Sequence, residues 1–173
     1  GVLPADLRFV HQGEFLDEPR AALGARAGAP VAVFAATPHG ETAALLDAAL
    51  SAMEAEDLAP RAVDLSADFR FADLARYAAV YGKEHGAPAR ARTFACAVPE
   101  HHRGPAPRHA AQPGCFTTAA VLAAYPFVSL GLVDGPVFVS AITGSSGSGR
   151  SPAANTHHPE RRSAVYAYAP LVH

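Results

Sequence analysis

Two adjacent patterns of different period limit the fold most. Residues 31–36 read Val-Ala-Val-Phe-Ala-Ala, apolar at every position, and are closed by Thr37-Pro38-His39-Gly40. A short run that is apolar on both sides of a two-residue repeat and bounded by Pro and Gly is the pattern of a parallel strand covered on both faces. Residues 41–58 then set apolar side chains at helical spacing among acidic ones and stop before Pro60, which predicts an amphipathic helix. A second short strand is expected at Ala62-Val63-Asp64-Leu65, then a polar turn at Ser66-Ala67-Asp68 and a helix over residues 71–80. Strand, helix, strand, helix is the order of an α/β sheet with right-handed crossovers.

The flanking segments are less periodic. Leu7-Arg8-Phe9-Val10 reads as a short strand, and Pro19, Gly24 and Gly28 limit any helix that follows it. Residues 82–112 are rich in Gly, Pro, Arg and His and read as connecting structure around one short strand at 94–98. A helix is expected over 117–125, stopped by Pro126, then a strand at 137–142, a Gly/Ser stretch over 144–151 and a strand candidate at Val165-Tyr166-Ala167-Tyr168. No internal repeat is present.

Composition excludes several classes of function. The chain has 173 residues, 50% of them hydrophobic and 17% charged, which excludes disorder as the default state and supplies enough material for a core. The net charge of −2 and the scatter of the cations give no electrostatic footprint for nucleic acid or anionic lipid. With no apolar run of membrane-spanning length and no leader, the expectation is a soluble cytosolic protein whose partner is a small molecule or another protein. Cys96 and Cys115 fit no metal spacing and suit a reduced compartment, and the nine histidines show no zinc motif, so no metal is expected. Alanine occurs 40 times, and Lys83 is the one lysine beside 13 arginines, which reads as coding bias. The chain opens on Gly1 and closes on Leu171-Val172-His173 without a polar tail, so a piece of a longer protein is expected.

Cys115 is the sharpest candidate for chemistry. It follows Gln112-Pro113-Gly114 and precedes a predicted helix, where the macrodipole and the first-turn amides favour thiolate and can stabilise an oxyanion. That is equipment for covalent acyl transfer; the alternative is a buried structural cysteine. Cys96, read as mid-strand, is taken as structural. His39 follows a buried strand at the edge where α/β sheets bind ligands, whereas His101-His102, His109 and His157-His158 read as solvated loop residues. Residues 144–150, Gly-Ser-Ser-Gly-Ser-Gly-Arg, are either an anion-cradling loop or a linker. In Asp64-Leu65-Ser66-Ala67-Asp68-Phe69-Arg70, an Asp capping the next helix is at least as good a reading as catalysis.

The succession Pro38-His39-Gly40, Asp64 to Arg70, Tyr81-Gly82, Val98-Pro99-Glu100, Pro113-Gly114-Cys115 and the 144–150 run resembles the N-acetyl-γ-glutamyl-phosphate reductase family, which is of the aspartate-semialdehyde-dehydrogenase type. The resemblance implies an α/β fold in which a partial Rossmann-type nucleotide-binding sheet (residues 1–116) is followed by the start of an α+β catalytic and dimerisation domain (117–173). It implies NADP(H) as cofactor, with Pro38, His39, Gly40, Ser66, Ser146, Gly147 and Gly149 beside it. Arg70, Glu100, Gln112 and Arg150 are implied as substrate contacts. Cys115 would form a thioester from the acyl phosphate, and His173 aligns with the first histidine of a His-Arg-His motif that assists. The family's glycine-rich pyrophosphate turn has no counterpart here, and Gln112 stands where many members have Asn. Thr156-His157-His158-Pro159-Glu160-Arg161-Arg162 resembles a sister branch that reduces an acyl phosphate carried on a small acidic protein in lysine or arginine synthesis. The family forms dimers or tetramers. An inactive fragment and a nicotinamide-independent cysteine hydrolase are the alternative functions.

Overall fold

The computed structural model describes residues 7–102, 104–144, 157, 159 and 162–167. In chain order the elements are α1 (Gln12–Asp17), α2 (Pro19–Leu23), β1 (Pro30–Ala35), α3 (Thr42–Ala55), β2 (Ala59–Asp64), α4 (Leu74–Tyr81), α5 (Pro88–Ala91), β3 (Phe94–Cys96), a 3₁₀ turn (Pro99–His101), β4 (His109–Ala111) and α6 (Cys115–Ser129). The four strands make one sheet in the order β1-β2-β4-β3, and every pairing is parallel. The α/β class is therefore present. The chain divides into two compact units, residues 1–134 and 135–173, and all these elements lie in the first.

The core lies between α3 and one face of the sheet. Leu46, Leu50 and Met53 recur at helical spacing on the buried side of α3 and meet Leu58, Ala62, Phe69, Phe94 and Ala111. Phe69 stacks on Phe94 with ring centroids 3.9 Å apart, and Phe94 stacks on His109 at 4.9 Å. The loop after β2 is thus fastened to β3 and β4 by aromatic contact, which fixes what lies beyond the strand ends.

Several expectations are corrected. Among the described residues β1 is covered on one face only: its residues alternate exposed and half-buried, and Phe34 is 70% exposed. The strand at 94–98 is shorter, ending at Cys96, and β4 lies inside a stretch read as connection, because three residues are too few to show a period. Helix α6 passes through Pro126. The proline removes only its own N–H, and Pro126 O still accepts from Leu130 N at 3.2 Å and from Ser129 Oγ at 3.1 Å. Residues 7–10, 137–142 and 165–167 form no strand, and Tyr168 lies outside the described residues. A strand needs a ladder partner; the sheet of the described residues includes none of these segments, and Phe9, Phe138 and Ile142 are at least 90% exposed.

Candidate active site

Ligands of open parallel sheets bind beyond the carboxyl ends of the strands, and four of the sequence motifs follow strand ends there. Residues 36–41 leave β1, 65–70 leave β2, 97–100 leave β3 and 112–115 leave β4. Hydrogen bonds tie three of these loops together. Leu65 N donates to Ala35 O at 2.9 Å, Ala67 N to His39 Nδ1 at 3.0 Å and Gln112 N to Asp64 O at 2.8 Å.

The two aspartates of the 64–70 motif shape this edge. Asp64 Oδ1 accepts from Ser66 N at 2.8 Å and its Oδ2 from Phe69 N at 3.2 Å. Asp68 is fully buried and accepts from Gly40 N, Ala43 N and the Tyr77 hydroxyl. It therefore caps the start of α3, the preceding helix; the following helix, α4, is capped by Asp73, whose carboxylate accepts from Ala75 N and Arg76 N. Burial, reinforced by Asp68, pushes the Tyr77 hydroxyl up to about 12. Ser66 is buried and its Oγ accepts the Asp68 amide at 3.1 Å, so this implied cofactor contact is turned into the loop. Tyr77 and His85 were not singled out in the sequence. His85 Nδ1 accepts from Ala87 N, and its Nε2 bonds Asp68 O at 2.8 Å, a contact across 17 residues that no local pattern signals.

Cys115 is exposed and is the first residue of α6. Gly114 precedes it at φ 105°, a region favouring glycine, and no side chain caps the helix. The Arg70 guanidinium lies against this glycine. Its Nε donates to Gln112 O at 2.9 Å, and a Cβ on Gly114 would stand 3.1 to 3.3 Å from Nη2, Cζ and Nη1. Arg70 is thus brought from the loop after β2 against the Gln112–Gly114 segment that leads into Cys115. Such a constellation can hold an acyl phosphate: the cation faces the phosphate, and the helix start supports charge on sulfur or oxygen. Cys96 is the exposed last residue of β3 rather than a mid-strand residue, so it reaches the same edge. Its thiol is pushed up by desolvation, with Asp64 adding to the shift and Arg70 opposing it.

Pro38, His39 and Gly40 are exposed at the end of β1. Because His39 Nδ1 accepts a backbone amide, the neutral ring of this exposed residue carries its proton on Nε2. Glu100 is exposed on the 3₁₀ turn beyond β3. Ser146, Gly147, Gly149, Arg150 and His173 lie outside the described residues. Two histidines read as solvated are not. His109 is buried in β4, with Nδ1 accepting from Ala62 N at 3.0 Å, and burial, with help from Arg108 and Arg90, lowers it to about 4. His101 stacks on Tyr125 at 3.8 Å. Among the described residues no helix is long and apolar enough to cross a membrane.

Residues 115–173 match the family described as semialdehyde dehydrogenase, dimerisation domain. The chain is 45% identical over 113 residues to N-acetyl-gamma-glutamyl-phosphate reductase of Methanopyrus kandleri, covering 64% of this chain and 33% of that protein. It is 39% identical over 147 residues to the enzyme of the same name from Pseudomonas paraeruginosa, covering 83% of this chain and 41% of that protein. It is also 39% identical over 114 residues to the LysW-L-2-aminoadipate 6-phosphate reductase of Deinococcus radiodurans, covering 64% and 33%. The matched stretches span well under half the length of these relatives. Over these stretches the chain is similar to semialdehyde dehydrogenases in residues 115–173 and to reductases of these two names.

Proposed function

We propose that this chain carries the nucleophile and part of the nucleotide-binding sheet of an NADPH-dependent acyl-phosphate reductase. Its substrate is N-acetyl-γ-glutamyl phosphate and its products are N-acetylglutamate semialdehyde and phosphate, within arginine synthesis. The carrying observation is Cys115, exposed at the start of α6 beside a glycine that the Arg70 guanidinium covers.

In this reading the Cys115 thiolate attacks the acyl carbon, a sulfur–carbon bond forms, and the carbon–oxygen bond to phosphate breaks with its electron pair leaving on phosphate. Arg70 takes the phosphate and balances its charge, held by its own bond to Gln112 O. The Cys115 amide, without a partner among the described residues, donates to the carbonyl oxygen as charge builds there. Gln112, Glu100 and Arg150 contact the rest of the substrate, and His173 moves the proton. Exposed His39 and Gly40 fit the polar part of a dinucleotide, so Pro38, His39 and Gly40 would hold NADP(H), with Ser66 supporting their loop and Ser146, Gly147 and Gly149 completing the site. When bound, NADPH supplies the hydride that converts the acyl group to the aldehyde. Residues 1–116 are the Rossmann-type part and 117–173 the start of the catalytic domain, through which the protein forms a dimer or tetramer.

The LysW-named relative favours a second reading, the same chemistry on an aminoadipyl or glutamyl phosphate borne by an acidic carrier protein. Exposed Arg162 would face that carrier. The test is NADPH oxidation by the full-length protein containing this chain, with free N-acetyl-γ-glutamyl phosphate and with the carrier-linked substrate. Turnover of the free substrate, abolished by Cys115→Ser, supports the first reading. Turnover of the carrier-linked one alone supports the second, and turnover of neither contradicts both.

A further inference from the structure

We propose that Lys83 is an anion-binding residue that takes a phosphate group of a ligand lying across Gly40 at the carboxyl end of β1. The ligand's identity rests on the reductase reading above; the site rests on the geometry around Gly40.

Gly40 is exposed and sits at φ 86°, where only glycine is unstrained. A Cβ at this position would overlap Lys83 Nζ and stand 3.0 Å from Lys83 Cε. The ammonium therefore occupies the space that a side chain of residue 40 would fill, against bare backbone. Its base is held in place. Helix α4 ends on Gly82 at φ 67°, with Gly82 N donating to Ala78 O, and two residues beyond Lys83 the His85 ring is bonded to Asp68 O and to Ala87 N.

The Gly40 amide is fixed by the Asp68 carboxylate, to which it donates at 2.7 and 3.0 Å. The Asp68 oxygens already accept from Gly40 N, Ala43 N and Tyr77, and Lys83 makes no hydrogen bond or ion pair among the described residues. A lysine that served only solubility would extend into water, whereas this one is folded back over a glycine. A compact ammonium with three donors, set against the exposed backbone of Gly40, suits a phosphate, which asks for charge more than for a planar fork. Both the dinucleotide and the acyl phosphate bring that group.

The experiment compares the full chain with Lys83→Met, which keeps the apolar stem, and with Lys83→Arg. Each is titrated with NADPH, followed by the ligand's own fluorescence, and separately with inorganic phosphate, followed by thermal shift. Lys83→Met is expected to weaken one of these ligands about tenfold, the worth of a charge-assisted hydrogen bond, with most of the affinity kept in Lys83→Arg. A loss confined to NADPH assigns the dinucleotide, and a loss confined to inorganic phosphate assigns the substrate. Wild-type chain that binds phosphate but not NADPH, with phosphate binding lost in Lys83→Met, upholds the Lys83 site and counts against the cofactor assignment. Equal binding of both ligands by wild type and Lys83→Met, or binding of neither by wild type, overturns the site. The reductase reading is judged separately by turnover of the full-length protein.

Discussion

Arg70 Nε donates to the carbonyl of Gln112 at 2.9 Å, joining the loop after β2 to the loop that delivers Cys115. Because the guanidinium also packs on Gly114, one side chain contacts two of the three residues that precede the cysteine. Arg70→Lys keeps the charge and loses the planar fork that makes both contacts. The expected outcome is a fall in kcat/KM of about tenfold or more, seen largely as a raised KM for phosphate in the reverse reaction, in steady-state assays of the full-length protein.

Gly114→Ala should disturb the same point through the backbone. At φ 105° an L residue is strained, and its Cβ would stand 3.1 Å from Arg70 Nη2. The expected cost is about 1 to 3 kcal/mol in urea unfolding, together with slower alkylation of Cys96, because Arg70 favours that thiolate and is displaced.

Asp68→Asn tests the reading of Asp68 as a tertiary cap. The variant keeps the shape but loses the charge that receives two amides and a hydroxyl, and an amide nitrogen then faces at least one of these donors. Destabilisation of about 2 kcal/mol or more is expected, against about 1 kcal/mol for Tyr77→Phe, both from chemical denaturation.

The β1–α3–β2 order was legible because each element there is long enough to show its period, as the buried series Leu46, Leu50 and Met53 illustrates. The position of Cys115 at a helix start was legible from Gln112-Pro113-Gly114 before it and the predicted helix after it. The three-residue strands β3 and β4 were not, and neither were the jobs of Asp68, Tyr77 and His85, which depend on contacts that form only after the chain has folded. His109 shows the same limit: nothing local marks a histidine that lends its ring to the Ala62 amide beside a short ladder.

His109 also sets a pH dependence. Its folded value, about 4, lies below the ordinary 6.5 because burial disfavours the charged ring. As pH falls below 6.5 the unfolded chain takes up this proton and the folded chain does not. The stability is therefore fully present above pH 6.5 and is lost between 6.5 and about 4. The loss is on the order of 2 to 3 kcal/mol. Urea midpoints measured across that window should fall more steeply for wild type than for His109→Gln.

The most direct measurement of the central claim is intact-protein and peptide mass spectrometry after exposure to an acyl phosphate without NADPH, using N-acetyl-γ-glutamyl phosphate generated in place, with acetyl phosphate as a simple surrogate. Attack by Cys115 with loss of phosphate predicts one hydroxylamine-sensitive acyl group on the Cys115 peptide, absent in Cys115→Ala and slowed by Arg70→Lys. An unmodified Cys115, or acylation of Cys96 in its place, would contradict the account.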